Sequence, residues 1–198
     1  MDKVFLLIFV HKKKILAFLL MPSHAELVCA TAFSFLEGAS HAEELVARAQ
    51  ALGLAALGVA DRNTVAGVVR AHEAARKAGL RLLVGARLCF VDGTPDVVAY
   101  PTDRAAWGRL TTLLTLGKRR AKKGECVLTR ADFASHAQGM LGIAMAPGEL
   151  GELREILGGR VWLAVRRDHG GDDARHLAAL AAAGRAAGVA LRATNDVL

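Results

Sequence analysis

Apolar and polar residues follow two alternating patterns from residue 25 to the end of the chain. Short apolar runs rich in Val, Leu and Ala are separated by longer stretches in which apolar residues recur with the helical period. This alternation is typical of a parallel α/β architecture. We therefore expect one barrel-like α/β domain. The predicted strands are 27–30, 55–60, 80–84, 87–91, 97–100, 141–145, 161–165 and 189–193.

Polar residues and glycines mark the ends of the predicted helices. Ser40, with Glu43 three residues later, fits a capping box that begins a helix running to about Leu52, where Gly53 ends it. Gly85 is expected to bend the chain between the strands predicted on either side of it. Further helices are predicted over 64–79, 102–116, 149–157 and 172–187, and a short helix from residue 129.

The first 21 residues have a different pattern. Two apolar runs, 4–10 and 15–21, flank His11 and three lysines, and each is shorter than the roughly 20 residues of a membrane-spanning helix. We interpret 1–21 as a leader outside the domain that arises from a start assigned upstream of Met21. An ordered extension and a targeting segment are the alternatives. Residues 22–198 then form the domain.

Charge and cysteine content narrow the setting of the protein. The formal net charge is +7, and four lysines lie within the first 20 residues. The remainder is mildly basic, so we expect at most a local basic patch. The three cysteines are far apart and form no CxxC pair. This spacing argues against a disulfide framework or a zinc site and favours a reducing cytoplasm, without a membrane partner.

Several short motifs occur in a fixed order along the domain. They include Ala25-Glu26-Leu27, Phe33-Ser34-Phe35-Leu36-Glu37-Gly38-Ala39-Ser40-His41, Ala60-Asp61-Arg62-Asn63-Thr64, Tyr100-Pro101-Thr102-Asp103 and Ala193-Thr194-Asn195-Asp196-Val197-Leu198. In this order and spacing they closely resemble the opening of error-prone C-family DNA polymerases, relatives of the replicative polymerase III alpha subunit. The resemblance implies a PHP (polymerase and histidinol phosphatase) fold, a distorted (β/α)7 TIM-like barrel, here incomplete at its C-terminus.

The resemblance also implies a role in damage-induced mutagenesis or translesion DNA synthesis. In that family the palm domain, whose carboxylates hold two magnesium ions, lies beyond the position of Leu198. We therefore expect no polymerase activity and no cofactor in this segment alone. The expected role is structural: the segment braces the rest of the polymerase chain, meets DNA through the full-length enzyme, and binds accessory mutagenesis proteins.

The family's metal site is implied to lie at the C-terminal ends of the strands. Two carboxylates, Asp61 and Asp196, remain at the matching positions. The other matching positions carry side chains that do not bind a metal ion: Val28, Ala30, Arg62, Arg87 and Leu198. We predict a degenerate, metal-free site in which Arg62 or Arg87 pairs with one of the two carboxylates and replaces the charge of the metal.

A run of cations is the second candidate site. Residues 117–125 are predicted to form a loop, and they contain Lys118, Arg119, Arg120, Lys122 and Lys123. A solvated loop is the simpler interpretation. The alternative is a salt-dependent, sequence-independent contact with a nucleic-acid backbone.

Two other functions remain open at the level of the sequence. A free-standing PHP phosphoesterase would need metal ligands at the positions of Val28, Ala30 and Arg87, which lack them. A non-enzymatic remnant of a disrupted gene would account for the unusual leader and the abrupt end.

Overall fold

The computed structural model describes residues 24–167 and 169–198, which form a seven-stranded sheet with helices packed outside it. The predictions for residues 1–21 concern residues outside these ranges. No helix in the described ranges is both long enough and apolar enough to cross a membrane. The strands are β1 (Ala25–Cys29), β2 (Ala56–Arg62), β3 (Arg81–Leu88), β4 (Val97–Pro101), β5 (Met140–Ala144), β6 (Val161–Val165) and β7 (Ala190–Ala193). The helices are α1 (Ala42–Ala51), α2 (Val68–Ala78), α3 (Arg104–Arg119), α4 (Arg130–His136), α5 (Leu150–Ile156) and α6 (Asp173–Ala187).

The strands follow one another around the sheet in sequence order. All neighbouring pairs are parallel except those of β4, which is antiparallel to β3 and to β5. Beyond β7, the N–H of Val197 donates to the carbonyl of Val28 (3.0 Å), and its carbonyl accepts from Ala30 (2.8 Å). This bridge joins β1, at one edge of the curled sheet, to the segment that follows β7 at the other edge. The predicted barrel-like α/β domain is confirmed as a partial barrel.

A buried glutamate stabilises this contact between β1 and residues 194–197, which we call the seam. Glu26 in β1 is 2% exposed, and its carboxylate accepts hydrogen bonds from the N–H of Val28 (2.9 Å) and from both the backbone and the side-chain nitrogen of Asn195 (2.9 Å each). It also accepts from the hydroxyl of Thr194. A buried carboxylate is tolerated only when its oxygens are satisfied in this way. Glu26 therefore fixes the segment after β7 against β1.

Alternation along the strands separates the interior of the barrel from the layer beneath the helices. Val28 belongs to an interior cluster of small apolar side chains with Ala60, Val98, Ile143 and Ala164. The neighbouring Cys29 packs on the other face, against side chains of α1 and α2. The largest cluster lies between β3–β7 and helices α3–α6.

The predicted capping residue of α1 was wrong by one position. The helix begins after His41, and the carboxylate of Glu44 accepts a hydrogen bond from the backbone N–H of His41 (2.8 Å). Ser40 instead accepts a backbone bond from Ala32. The spacing between cap and acid is the same for both pairs, so the sequence pattern did not distinguish them.

The prediction of a bend at Gly85 was also wrong, because β3 runs without a break through this residue. A Cβ atom at Gly85 would lie 2.6 Å from the carbonyl oxygen of Ala99 and 2.8 Å from the ring of Tyr100. Glycine is needed here for the close approach of β4. A glycine inside a strand can mark either a close backbone approach or a bend.

Two helix boundaries also differ from the prediction. Helix α2 begins at Val68, after an irregular segment that includes Thr64, whereas the predicted helix began at residue 64. Helix α3 continues to Arg119, so Lys118 and Arg119 belong to its last turn and not to a loop. Cations are favourable at a helix C-terminus because they face the negative end of the helix dipole.

Candidate functional site at the mouth of the barrel

The C-terminal ends of the parallel strands converge at one mouth of the barrel, where α/β barrels place their functional residues. Asp61 lies near the end of β2 and Arg87 near the end of β3. Ala30 directly follows β1, and Asp196 lies in the segment that pairs with β1. The structure thus gathers the predicted positions at one end of the fold.

Asp61 is held by uncharged donors. Its carboxylate is 1% exposed and accepts hydrogen bonds from the N–H of Thr31 (2.7 Å), the hydroxyl of Thr31 (2.9 Å) and the hydroxyl of Ser34 (2.7 Å). Arg62 pairs instead with Glu37, and this hydrogen bond raises the pKa of Arg62. Asp61 therefore anchors the loop after β1, and the guanidinium of Arg62 faces that loop from outside.

Asp196 is held by two arginines. Its side chain is 4% exposed; one oxygen accepts from Nη1 of Arg87 (3.1 Å) and the other from Nη1 of Arg166 (2.9 Å). Nε of Arg87 also donates to Asp96 (2.9 Å). Burial opposes the charge of Arg87, but Asp196 and Asp96 outweigh it and raise its pKa. Of the arginine–aspartate pairs that the sequence suggested, the structure contains the pair between Arg87 and Asp196.

Arg166 and Asp96 were not identified from the sequence. Arg166 directly follows β6, and Asp96 directly precedes β4. Their positions at strand ends on the same side of the sheet were the available signal, but the pairing depends on barrel curvature that no local pattern shows. A cavity of about 310 Å³ beside Asp196 is lined by Arg87, Arg166 and His176, among others.

A cysteine at the same mouth is held in its thiol form. The thiol of Cys89 donates to the carboxylate of Asp96 (3.2 Å), while the side chain of Asn63 bonds to both the N–H and the carbonyl of Cys89. Burial, with a contribution from Asp96, raises the pKa of the Cys89 thiol to about 12. Since the thiolate is the nucleophilic form, Cys89 is a poor nucleophile at neutral pH.

The three apolar residues at the other predicted ligand positions differ in burial. Val28 and Ala30 are buried (2% and 7% exposed), whereas Leu198 is 53% exposed. Within residues 24–167 and 169–198, no three His, Cys, Asp or Glu side chains come together in an arrangement that could hold a metal ion.

The predicted cationic run is only partly gathered in space. Lys118, Lys122 and Lys123 line a groove of about 680 Å³. Arg120 is turned away and pairs with Asp132 of α4 (2.6 Å). Arg119 lies on another face of α3 and lines a different depression.

Two phenylalanines also line the groove, and no sequence motif connected them with the lysines. Phe33 and Phe35 belong to the loop after β1 and are 43% and 84% exposed. Two phenylalanines in the segment that connects the first predicted strand to the first predicted helix were the signal that could have identified them, because large apolar residues in a connecting segment are candidates for an exposed surface.

A family model and a solved structure both match this fold. The PHP domain model matches residues 26–186, so the chain belongs to the PHP domain family. A putative metal-dependent phosphoesterase from Bifidobacterium adolescentis superposes with a TM-score of 0.64 at 16% identity, covering 89% of this chain and 88% of the other. At that identity the likeness shows the fold alone.

The relatives found by sequence similarity indicate a narrower group within the PHP family. The error-prone DNA polymerase of Caulobacter vibrioides is 51% identical over 185 residues, which cover 89% of this chain. The error-prone DNA polymerase of Rhodopseudomonas palustris strain BisB5 is 49% identical over 191 residues, covering 90%. The chain spans only 17% of the length of each. The resemblance predicted from the motifs is confirmed: the chain matches the PHP portion of these longer enzymes.

Proposed function

We propose that this chain is the PHP barrel of an error-prone DNA polymerase and acts there as a scaffold without hydrolytic chemistry of its own. The observation that carries the proposal is the set of partners of the two remaining aspartates. Asp196 is enclosed by Arg87 and Arg166, and Asp61 is bonded to Thr31 and Ser34.

The electrostatics of the mouth support a degenerate metal site. Divalent cations bound for hydrolysis need several anionic or imidazole ligands that converge on the ion. Here a cation near Asp196 would have to displace two guanidinium groups that already neutralise it. A cation near Asp61 would compete with donors that fix the loop after β1. The residues present do not fit the multi-metal site that the fold family implies.

As a scaffold, the barrel would contact other parts of the polymerase and its partners. Its partners are the polymerising domains of the same chain, DNA reached through the full-length enzyme, and accessory mutagenesis proteins. We place this work in the cytoplasm, in keeping with three cysteines that are all free in the structure.

A phosphoesterase assay tests the absence of hydrolysis. The purified chain should release no more p-nitrophenol from p-nitrophenyl phosphate or its diester, with manganese or zinc added, than an Asp196→Asn variant prepared in the same way. Manganese-dependent turnover that is lost in Asp196→Asn would instead identify a phosphoesterase.

A domain exchange tests the scaffold role in a polymerase. In the Caulobacter vibrioides relative, the matched segment would be replaced by residues 24–198 of this chain. We expect the chimera to retain primer extension, because a brace needs only its packing surfaces. A soluble chimera that has lost primer extension would contradict the proposal.

A further inference from the structure

The groove beside the barrel mouth combines aromatic and cationic side chains. Its lining includes Phe33 and Phe35 from the loop after β1, and Lys118, Lys122 and Lys123 at the end of α3 and in the turn that follows. The three lysines are exposed. At about 680 Å³, the groove is in the size range of small-ligand sites, roughly 300–1,000 Å³.

The loop that carries the two phenylalanines is fixed to the barrel. Asp61 binds Thr31 and Ser34 at the base of the loop. The hydroxyl of Ser34 also accepts from the N–H of Arg62 (3.0 Å), and the N–H groups of Glu37 and Gly38 donate to the carbonyl of Ser34 (2.9 Å each). The aromatic rings are therefore presented by an ordered loop, and little ordering entropy remains to be lost on binding.

The two rings differ in how much surface they offer. The guanidinium of Arg70 lies over the ring of Phe33, 5.9 Å from its centroid. Phe35 is 84% exposed. Together with Phe33 and the neighbouring Leu36, which is 90% exposed, it groups exposed apolar side chains on one loop beside a charged groove. Exposed apolar surface that is grouped in this way indicates a binding surface.

The charges favour an anionic ligand. Lys118, Lys122 and Lys123 face the groove together with Arg62, which is paired with Glu37. Glu125 also lines the groove, which leaves the lysines in excess. An array of lysines beside an exposed aromatic ring is the combination that binds a sugar–phosphate backbone and stacks its bases.

We propose that this groove binds single-stranded DNA, with the three lysines on phosphates and a base stacked on Phe35. The choice of DNA over RNA rests on the proposed function. On this proposal Asp61, a carboxylate at a former ligand position, positions the aromatic loop for nucleic-acid binding.

Fluorescence anisotropy with a labelled oligo(dT) of about 15 nucleotides tests the proposal, with oligo(U) and a DNA duplex of the same length as further probes. Phe35→Ala should weaken oligo(dT) binding about tenfold, whereas Phe35→Trp should retain binding and show quenching of the new indole on stacking. Leu52→Ala is the matched control, because Leu52 is an exposed apolar residue (57%) at the end of α1, away from the mouth.

The lysines are tested by salt dependence. Lys122→Ala with Lys123→Ala should reduce the slope of log affinity against log salt by about 0.7 for each lysine removed. The matched control is Arg76→Ala with Lys77→Ala, two exposed cations at the end of α2, at the opposite end of the barrel. Lysines 3, 12, 13 and 14 are present in every variant, so their contribution cancels in the comparison.

Three results would overturn the proposal. These are no oligo(dT) binding at low salt, equal effects of the groove and control variants, or tighter binding of the duplex than of the single strand.

Preference for oligo(U) would replace DNA by RNA as the ligand. If Phe35→Ala weakened only association with the remaining polypeptide of the Caulobacter vibrioides relative, the groove would be a protein-docking surface. If the groove variants fail these tests but the chimera retains primer extension, only the proposal of DNA binding in the groove is rejected. If the chain shows metal-dependent hydrolysis, the scaffold proposal is rejected and the DNA-binding proposal is unaffected.

Discussion

Two aspartates at the barrel mouth are satisfied by different kinds of donor. Asp61 takes its hydrogen bonds from uncharged groups of one loop, whereas Asp196 takes them from arginines that extend from β3 and from the end of β6. The first arrangement fixes a local segment. The second ties together distant parts of the barrel through charge-assisted bonds, which are stronger than neutral ones.

We expect Arg87→Met to reduce the free energy of unfolding by about 1–3 kcal/mol, because Asp196 and Asp96 lose a shared, largely buried donor while Arg166 remains. Arg62→Met is the matched control; its pair with Glu37 is exposed, and surface pairs contribute about 0–1 kcal/mol. Urea unfolding of both variants measures the difference. Equal losses of unfolding free energy in the two variants would show that the ion pairs at Asp196 stabilise the fold no more than a surface pair does.

Cys29 provides a prediction about pH. Burial, with contributions from Glu26 and Asp61, raises the pKa of its thiol to about 12, against about 8.5 in an unfolded chain. Below the unfolded value both states are protonated, so stability is unaffected. Above it only the unfolded chain releases the proton, so the free energy of unfolding should fall by up to about 1.4 kcal/mol per pH unit until the folded pKa is reached.

The Cys29→Ala variant isolates this effect. Urea unfolding under reducing conditions between about pH 8 and pH 10 should give a shallower decline with pH for Cys29→Ala than for the unchanged chain. Parallel declines would mean that Cys29 ionises equally easily in both states.

At the scale of elements, the apolar pattern predicted nearly all of the strands and helices, and their ends shift by only a few residues. The interpretation of Gly85 failed because a glycine required by a neighbouring strand has the same local sequence signature as one at a bend. The residues of the site were also predicted only in part, because local sequence does not show which strands lie side by side. Asp61, Arg87 and Asp196 lie at strand ends that a barrel must bring together, whereas the choice of Arg166 and Asp96 as partners depends on the register of strands far apart in sequence.

We expect Gly85→Ala to destabilise the protein by about 1–3 kcal/mol, because the added methyl group would meet the backbone of Ala99 and the ring of Tyr100. Gly108→Ala in α3 is the opposite case. Nothing lies within 4 Å of a Cβ atom there, and alanine is favoured in a helix by up to about 1 kcal/mol. Thermal unfolding should therefore shift down for the first variant and up for the second. A neutral Gly85→Ala would mean that β3 and β4 can separate without cost.

At the scale of the whole molecule, a backbone bridge and a buried carboxylate join the first strand of the partial barrel to the segment after the last strand. Glu26 joins β1 to the segment after β7, and that segment also carries Asp196. The seam and the charged mouth are therefore coupled, since displacement of residues 194–197 would disrupt both.

Glu26→Gln tests the seam. One accepting carboxylate oxygen would become an amide nitrogen, which donates and would face groups that also donate to Glu26. We expect a loss of about 1.5–3 kcal/mol, the range for a hydrogen bond to a charged group. Hydrogen exchange of the Ala30 and Val197 amides should accelerate as well. Glu43→Gln, on the exposed surface of α1, should change neither quantity. Unaltered protection of the seam amides in Glu26→Gln would show that the backbone bridge alone closes the barrel.

The proposed scaffold role depends on arginines and hydroxyl groups taking the place of metal ions at the barrel mouth. The most direct measurement is the metal content of the purified chain after incubation with manganese or zinc and removal of free metal. We predict a substoichiometric content that is the same for the unchanged chain and for Asp196→Asn. Several tightly held ions per chain, lost in Asp196→Asn, would contradict it.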